Sequence, residues 1–137
     1  MTKKKTIENS NVVFLNPEEQ NYLFEIIVRR SLSGLLIFQE NRVVLTNPAL
    51  QEIVGLGEEE ILRTNPFDLV HPIDRDLVRQ RASQRLKGVS PPDDYEFRIL
   101  TSAGRTKWVR VLATSITYQE EPAIRCAMQV LLEDECR

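Results

Sequence analysis

The sequence predicts an α+β domain: a five-stranded antiparallel sheet with short helices on one face, preceded by an amphipathic helix. Three observations carry this. Tyr95, Phe97 and Ile99 alternate with Glu96 and Arg98, the mark of a strand with one buried face. Helix-start signals, an asparagine followed by proline, stand at Asn16-Pro17 and Asn47-Pro48. The order is helix, two strands, several short helices and a three-strand meander. Strands segregated from helices favour an antiparallel sheet with helices on one side.

Residues 1 to about 10 are polar and aperiodic, and Asn11 to Leu15 is an apolar stretch too short to classify. Asn16 can cap a helix, Pro17 suits its first position, and Glu18 and Glu19 favour its positive end. Leu23, Phe24, Ile27 and Val28 form its apolar stripe to about Arg30, and Ser33-Gly34 breaks it. Leu35–Phe38 and Arg42–Thr46 read as a hairpin joined by Gln39-Glu40-Asn41. Leu50, Ile53 and Val54 are the apolar side of a short helix, which Gly55 ends in a left-handed conformation. Glu58 to Leu62 adds a helical turn, and Asn65-Pro66 and His71-Pro72 frame a connection. A longer helix starts near Asp74, with Leu77, Val78, Ala82 and Leu86 at helical spacing, and Ser90-Pro91-Pro92 stops it. Strands then follow at Tyr95–Ile99, Trp108–Ile116 and Ala123–Leu132, with turns at Ser102-Ala103-Gly104 and Gln119-Glu120-Glu121-Pro122.

A chain of 137 residues, 42% hydrophobic and 28% charged, fits one globular core. A net charge of −2 argues against nucleic-acid binding, and Lys3-Lys4-Lys5 reads as a solvated tail. No apolar run approaches the roughly 20 residues of a membrane span, and Thr6 to Ser10 is too polar for a signal peptide. Two cysteines, Cys126 and Cys136, make no disulfide framework. No membrane insertion is expected, and the expected compartment is the cytoplasm. A single histidine without further ligands excludes a zinc constellation, and the scattered glycines exclude a phosphate loop. No metal site and no catalytic residue is expected, so the chain reads as no enzyme.

From about Leu23 to Asp134 the order of motifs resembles the PAS family. Gly34-Leu35-Leu36-Ile37-Phe38 is similar to its first strand, and Thr46-Asn47-Pro48-Ala49 to the Asn-x-Ala opening of its first core helix. Gly55 with Glu58-Glu59-Glu60-Ile61-Leu62 is similar to the segment that follows, and His71-Pro72-Ile73-Asp74 to the His-Pro-Asp-Asp that opens the long helix. Tyr95-Glu96-Phe97-Arg98 and Gly104-Arg105-Thr106-Lys107-Trp108-Val109 resemble the paired strands. Glu133-Asp134-Glu135 departs from the usual Asp-Ile-Thr-Glu exit. Residues 1–15 are expected to form a flexible arm and 16–33 the amphipathic helix, and the resemblance implies 34–134 as a sensory domain. It also implies a ligand cavity and a dimeric, non-catalytic input role, excised from a larger bacterial signalling protein such as a histidine kinase or cyclic-nucleotide enzyme.

Leu50, Ile53, Val54, Phe67 and Val78 are expected to face Tyr95, Phe97, Val111, Ala113 and Ala127 across the pocket. Two readings stay open: a filled core without ligand, or a pocket for a small, mostly apolar molecule oriented by Tyr95. No cofactor is expected. His71 precedes Pro72 and reads as a turn residue bonded to a backbone carbonyl rather than a haem ligand, and the Gly-x-Asn-Cys-Arg segment of the flavin-binding branch is absent. Arg75, Arg79, Arg81, Arg85 and Lys87 read as the solvated side of their helix. The last strand is apolar at nearly every position, so both its faces need cover. Leu23, Phe24, Ile27 and Val28, with Trp108 and Leu112 of the outer face, are therefore the expected homodimer interface. The expected function is a sensor that controls an effector domain of the same protein through that dimer. The alternative is a ligand-free dimerisation module.

Overall fold

The computed structural model describes residues 15–88 and 94–133. The expected arm, apart from Leu15, lies outside the described residues, as do the Ser90-Pro91-Pro92 stop, Cys136 and the domain's expected end. The elements are α1 (Pro17–Arg30), β1 (Gly34–Gln39), β2 (Arg42–Thr46), α2 (Pro48–Val54) and α3 (Glu58–Leu62). A 3₁₀ turn (Pro66–Leu69), α4 (Pro72–Leu86), β3 (Asp94–Leu100), β4 (Thr106–Tyr118) and β5 (Glu121–Glu133) follow. The five strands form one antiparallel sheet in the order β2-β1-β5-β4-β3. Strand β5 is therefore central, which accounts for its nearly continuous apolar run. Among the described residues no helix is long and apolar enough to cross a membrane.

Local chemistry sets the helix ends. Asn16 and Glu19 form a reciprocal capping box at 2.7 and 2.9 Å. Gly55 ends α2 at φ 80°, where a side chain would be strained. Helix α4 begins at Pro72 rather than near Asp74, because His71 is its N-cap: Nδ1 accepts from the Ile73 N–H at 3.2 Å. The expected bond from His71 to a carbonyl is replaced by this cap, since the orphan groups at a helix start are donors.

Gly34, read above as a helix breaker, has a packing role. A Cβ there would come within 2.9 Å of Ile53 Cδ1 and 3.0 Å of Leu50 Cα, so only glycine lets β1 and α2 approach this closely. The β1–β2 and β4–β5 hairpins turn through Glu40-Asn41 and Gln119-Glu120, all four at positive φ. Two-residue loops with that geometry match the sheet twist, although glycine is the residue that usually supplies it.

Asn47 is 1% exposed and joins four segments. Its Nδ2 donates to the carbonyls of Val28 and Ser33 at 2.8 and 3.0 Å. Its Oδ1 accepts from the N–H groups of Leu35 and Leu50 at 2.9 and 3.0 Å. One side chain thus caps α2, starts β1 and ties down the end of α1. Helix α1 lies toward the β2 edge, where Phe24, Val28 and Arg29 share a crevice with Val44, Leu45 and Thr46. It leaves Leu112 44% exposed on the outer sheet face.

Candidate functional site

The inner sheet face, the 3₁₀ turn and α4 line a cavity of about 50 Å³. Leu36 and Phe38 come from β1, Tyr95, Phe97 and Ile99 from β3, Val111 and Ala113 from β4, and Ile124, Cys126 and Met128 from β5. Phe67 and Leu69 close one wall, Val78, Ala82 and Arg85 of α4 another. A water molecule needs roughly 10–15 Å³ of such space, so the cavity has room for only a few waters. An open groove of about 450 Å³ adjoins it and shares Phe38, Phe67 and Ala82 with it. The two phenyl rings meet edge to face, 5.6 Å apart, between the two spaces.

Among the described residues, the polar side chains of this otherwise apolar wall are Arg85, Tyr95 and Cys126. Burial pushes the Tyr95 hydroxyl up to about 12, with Cys126 adding to the shift and Arg85 and Arg81 opposing it. Burial likewise raises the Cys126 thiol to about 12, against Arg85 and Arg125. Both groups stay protonated at neutral pH, so Tyr95 can donate a hydrogen bond and Cys126 is a poor nucleophile. The Arg81 guanidinium stacks over the Tyr95 ring at 4.8 Å. Its Nη1 is buried with no hydrogen-bond partner among the described residues.

Six of the ten pocket residues named from the sequence line the cavity: Phe67, Val78, Tyr95, Phe97, Val111 and Ala113. Four do not. Leu50 and Val54, both 0% exposed, and the partly buried Ile53 belong to the solid core instead. The cause is that α2 lies on the start of β1 and reaches the β3–β4 turn, where the Ser102 N–H donates to Val54 O at 3.0 Å. Ala127 pairs with Leu112 and lies with it in a shallow depression lined also by Arg110 and Gln129, on the outer face. Its neighbours Cys126 and Met128 point inward. Val28 is corrected too: it is buried against its own domain, whereas Leu23, Phe24 and Ile27 are 43, 50 and 56% exposed. Trp108 carries the Arg98 guanidinium over its ring at 4.9 Å.

Sequence reasoning missed Arg85 and Cys126. Arg85 is buried, not solvated, and Arg75 and Arg79 are also engaged, the first on the carbonyl of Val70 at 2.9 Å and the second over the Phe67 ring at 5.5 Å. The signal for Arg85 was available: Val78, Ala82 and Arg85 follow the i, i+4, i+7 spacing of one helix face. Among the described residues no cluster of three or more His, Cys, Asp or Glu side chains is placed to hold a metal ion.

Residues 43–130 match the PAS fold family. The chain belongs to that family. This PAS domain is 23% identical over 120 residues to the sensor histidine kinase TmoS of Ectopseudomonas mendocina, and 27% identical over 124 residues to aryl hydrocarbon receptor protein 1 of Caenorhabditis elegans. The matches cover 86% and 89% of the chain but 12% and 18% of those proteins, so the chain spans a small part of each relative. The PAS domain of an HTR-like protein from Haloarcula marismortui superposes with a TM-score of 0.70 at 16% identity, over 83% of this chain and 93% of that one. At that identity the likeness shows the fold alone.

Proposed function

We propose that this PAS domain is the non-catalytic input module of a longer cytoplasmic signalling protein. It binds a small ligand between sheet and α4 and controls an output domain through a homodimer. The observation that carries this reading is the cavity: apolar walls, a few converging polar side chains, and two phenyl rings that also line an adjoining groove. A ligand that prefers one of two subunit arrangements shifts them by its difference in affinity. Asn47 ties the end of α1 to the start of β1, the strand whose Leu36 and Phe38 line the cavity. The relatives named as a sensor kinase and a receptor agree with an input role. Exposed Leu23, Phe24 and Ile27 offer a second copy an apolar stripe.

One observation favours the ligand-free dimerisation module. About 50 Å³ is far below the roughly 300–1,000 Å³ of an ordinary ligand site. Native mass spectrometry of freshly purified protein decides between the two. A stoichiometric small molecule supports the sensor, whereas bare protein that binds nothing from a metabolite library supports the module.

A further inference from the structure

Resting on the reading of the cavity as a ligand site, we propose its ligand class. The ligand is a compact, uncharged molecule of a few heavy atoms with one hydrogen-bond acceptor. The acceptor bonds the Tyr95 hydroxyl, and the ligand enters past the Phe38–Phe67 ring pair.

The wall disfavours an ion. Among the described residues its polar side chains are Arg85, Tyr95 and Cys126, set among aliphatic and aromatic carbon. Burial keeps Tyr95 and Cys126 protonated, and therefore neutral, at pH 7. Arg85 is buried and already has a partner within the chain. No described side chain of the wall is thus left as a free counter-charge. An anion or a cation entering here would lose its water shell without gaining an ionic partner. An uncharged molecule avoids that cost.

The polar atoms of the wall select an acceptor. The Tyr95 O–H is a full donor and the Cys126 S–H a weak one. The two groups are close enough for Cys126 to act on the Tyr95 hydroxyl. A carbonyl, ether or nitrile complements them. An N–H group would find only the Tyr95 oxygen and a weakly accepting sulfur.

Volume sets the size. An apolar cavity of roughly 150 Å³ takes up benzene or xenon. The space here, about 50 Å³, is smaller, so with its rings in place it fits xenon or a molecule of about four heavy atoms. Phe38 and Phe67 stand edge to face at 5.6 Å and line both this cavity and the adjoining groove. The route from the groove therefore runs past them, and a larger ligand has to turn them aside.

The test is methyl-detected NMR titration of the whole chain with xenon, acetone, acetate, isopropylammonium and cyclohexanone. Xenon and acetone are expected to shift the Ala113 and Met128 methyl signals. Acetone should bind at least 10-fold more tightly than acetate or isopropylammonium, which match its size. Tyr95→Phe should weaken acetone at least 5-fold and leave xenon uptake unchanged, which also shows that the variant is folded. Phe67→Ala should tighten cyclohexanone at least 5-fold. Acetate or isopropylammonium binding as well as acetone overturns the uncharged class while leaving the ligand reading intact. Xenon uptake without acetone binding, or acetone binding unchanged in Tyr95→Phe, overturns the acceptor's bond to Tyr95. Cyclohexanone binding equally to wild type and Phe67→Ala overturns the size limit. The comparison of acetone with its charged counterparts on the wild type stands even where a variant fails to fold. If neither xenon nor acetone enters, the ligand reading itself fails.

Discussion

The Asp74 carboxylate grips Arg98 twice. It accepts from Nε and Nη2 at 2.9 and 2.8 Å, and from the Arg98 backbone N–H at 2.8 Å. Asp74 stands in the first turn of α4 and Arg98 on β3, an edge strand, so the pair fastens helix to sheet and occupies an edge donor. The Arg98 side-chain bonds hold the Asp74 carboxyl below its ordinary value despite partial burial. Asp74→Asn should therefore cost about 1–3 kcal/mol at pH 7. A depressed folded-state pKa contributes stability that is present above the ordinary carboxylate pKa and lost as pH falls through the folded value. Urea denaturation should show wild type and Asp74→Asn well apart at neutral pH and converging below about pH 3.8, the ordinary value of the group. A constant gap across that range would refute the assignment.

Asn47 makes four hydrogen bonds, three of them to chain outside its own helix. Asn47→Ala leaves the buried carbonyl of Val28 and the partly buried backbone groups of Ser33 and Leu35 without that partner, at a cost of about 3 kcal/mol. Amide exchange in α1 should accelerate more than in β4 and β5. Uniform acceleration would mean that Asn47 stabilises the fold without specifically docking α1.

Glu120 sits at φ 67° in the β4–β5 turn. Left-handed backbone costs a residue with a Cβ roughly 1–2 kcal/mol, and glycine's greater freedom in the unfolded chain offsets part of the gain from removing it. Glu120→Gly should raise stability by about 0.5–1 kcal/mol, read as a higher urea midpoint at constant slope.

Ala113 is 3% exposed and lines the cavity. Ala113→Trp should fill it, destabilise by about 1–3 kcal/mol through overpacking, and abolish small-molecule binding. Undiminished binding in a folded variant would place the ligand elsewhere.

The exposed stripe of α1 leads to a dimer prediction. Burying Leu23, Phe24 and Ile27, roughly 1.5–3 kcal/mol each when fully covered, only partly offsets an association cost of about 4–15 kcal/mol. Sedimentation should show a reversible dimer in the micromolar range that Leu23→Glu/Ile27→Glu converts to monomer. Wild type that stays monomeric at high concentration removes the dimer.

Element type and order were legible because their causes are local. Asn16-Pro17, Asn47-Pro48 and Gly55 announce helix ends through backbone chemistry, and Tyr95, Phe97 and Ile99 announce a one-sided strand by period two. The site was legible only where a pattern showed which face turned inward. Strand β5 has no such pattern, being apolar on both faces, so the choice of Ala127 over Cys126 had no local signal. The hairpin decides it. A two-residue loop at Gln119-Glu120 pairs Ala113 with Cys126 and Leu112 with Ala127. With Val111 and Ala113 inward, Cys126 must follow them and Ala127 must not.

The amino-acid sequence by itself determined which segments become helices and strands, because capping, propensity and periodicity act within a few residues. Tertiary structure alone decided the pairing of β1 with β5 and the seating of α2 on Gly34 rather than over the cavity. Those outcomes depend on contacts between segments as many as ninety residues apart, such as Leu36 with Cys126, and no local pattern encodes a distance of that kind.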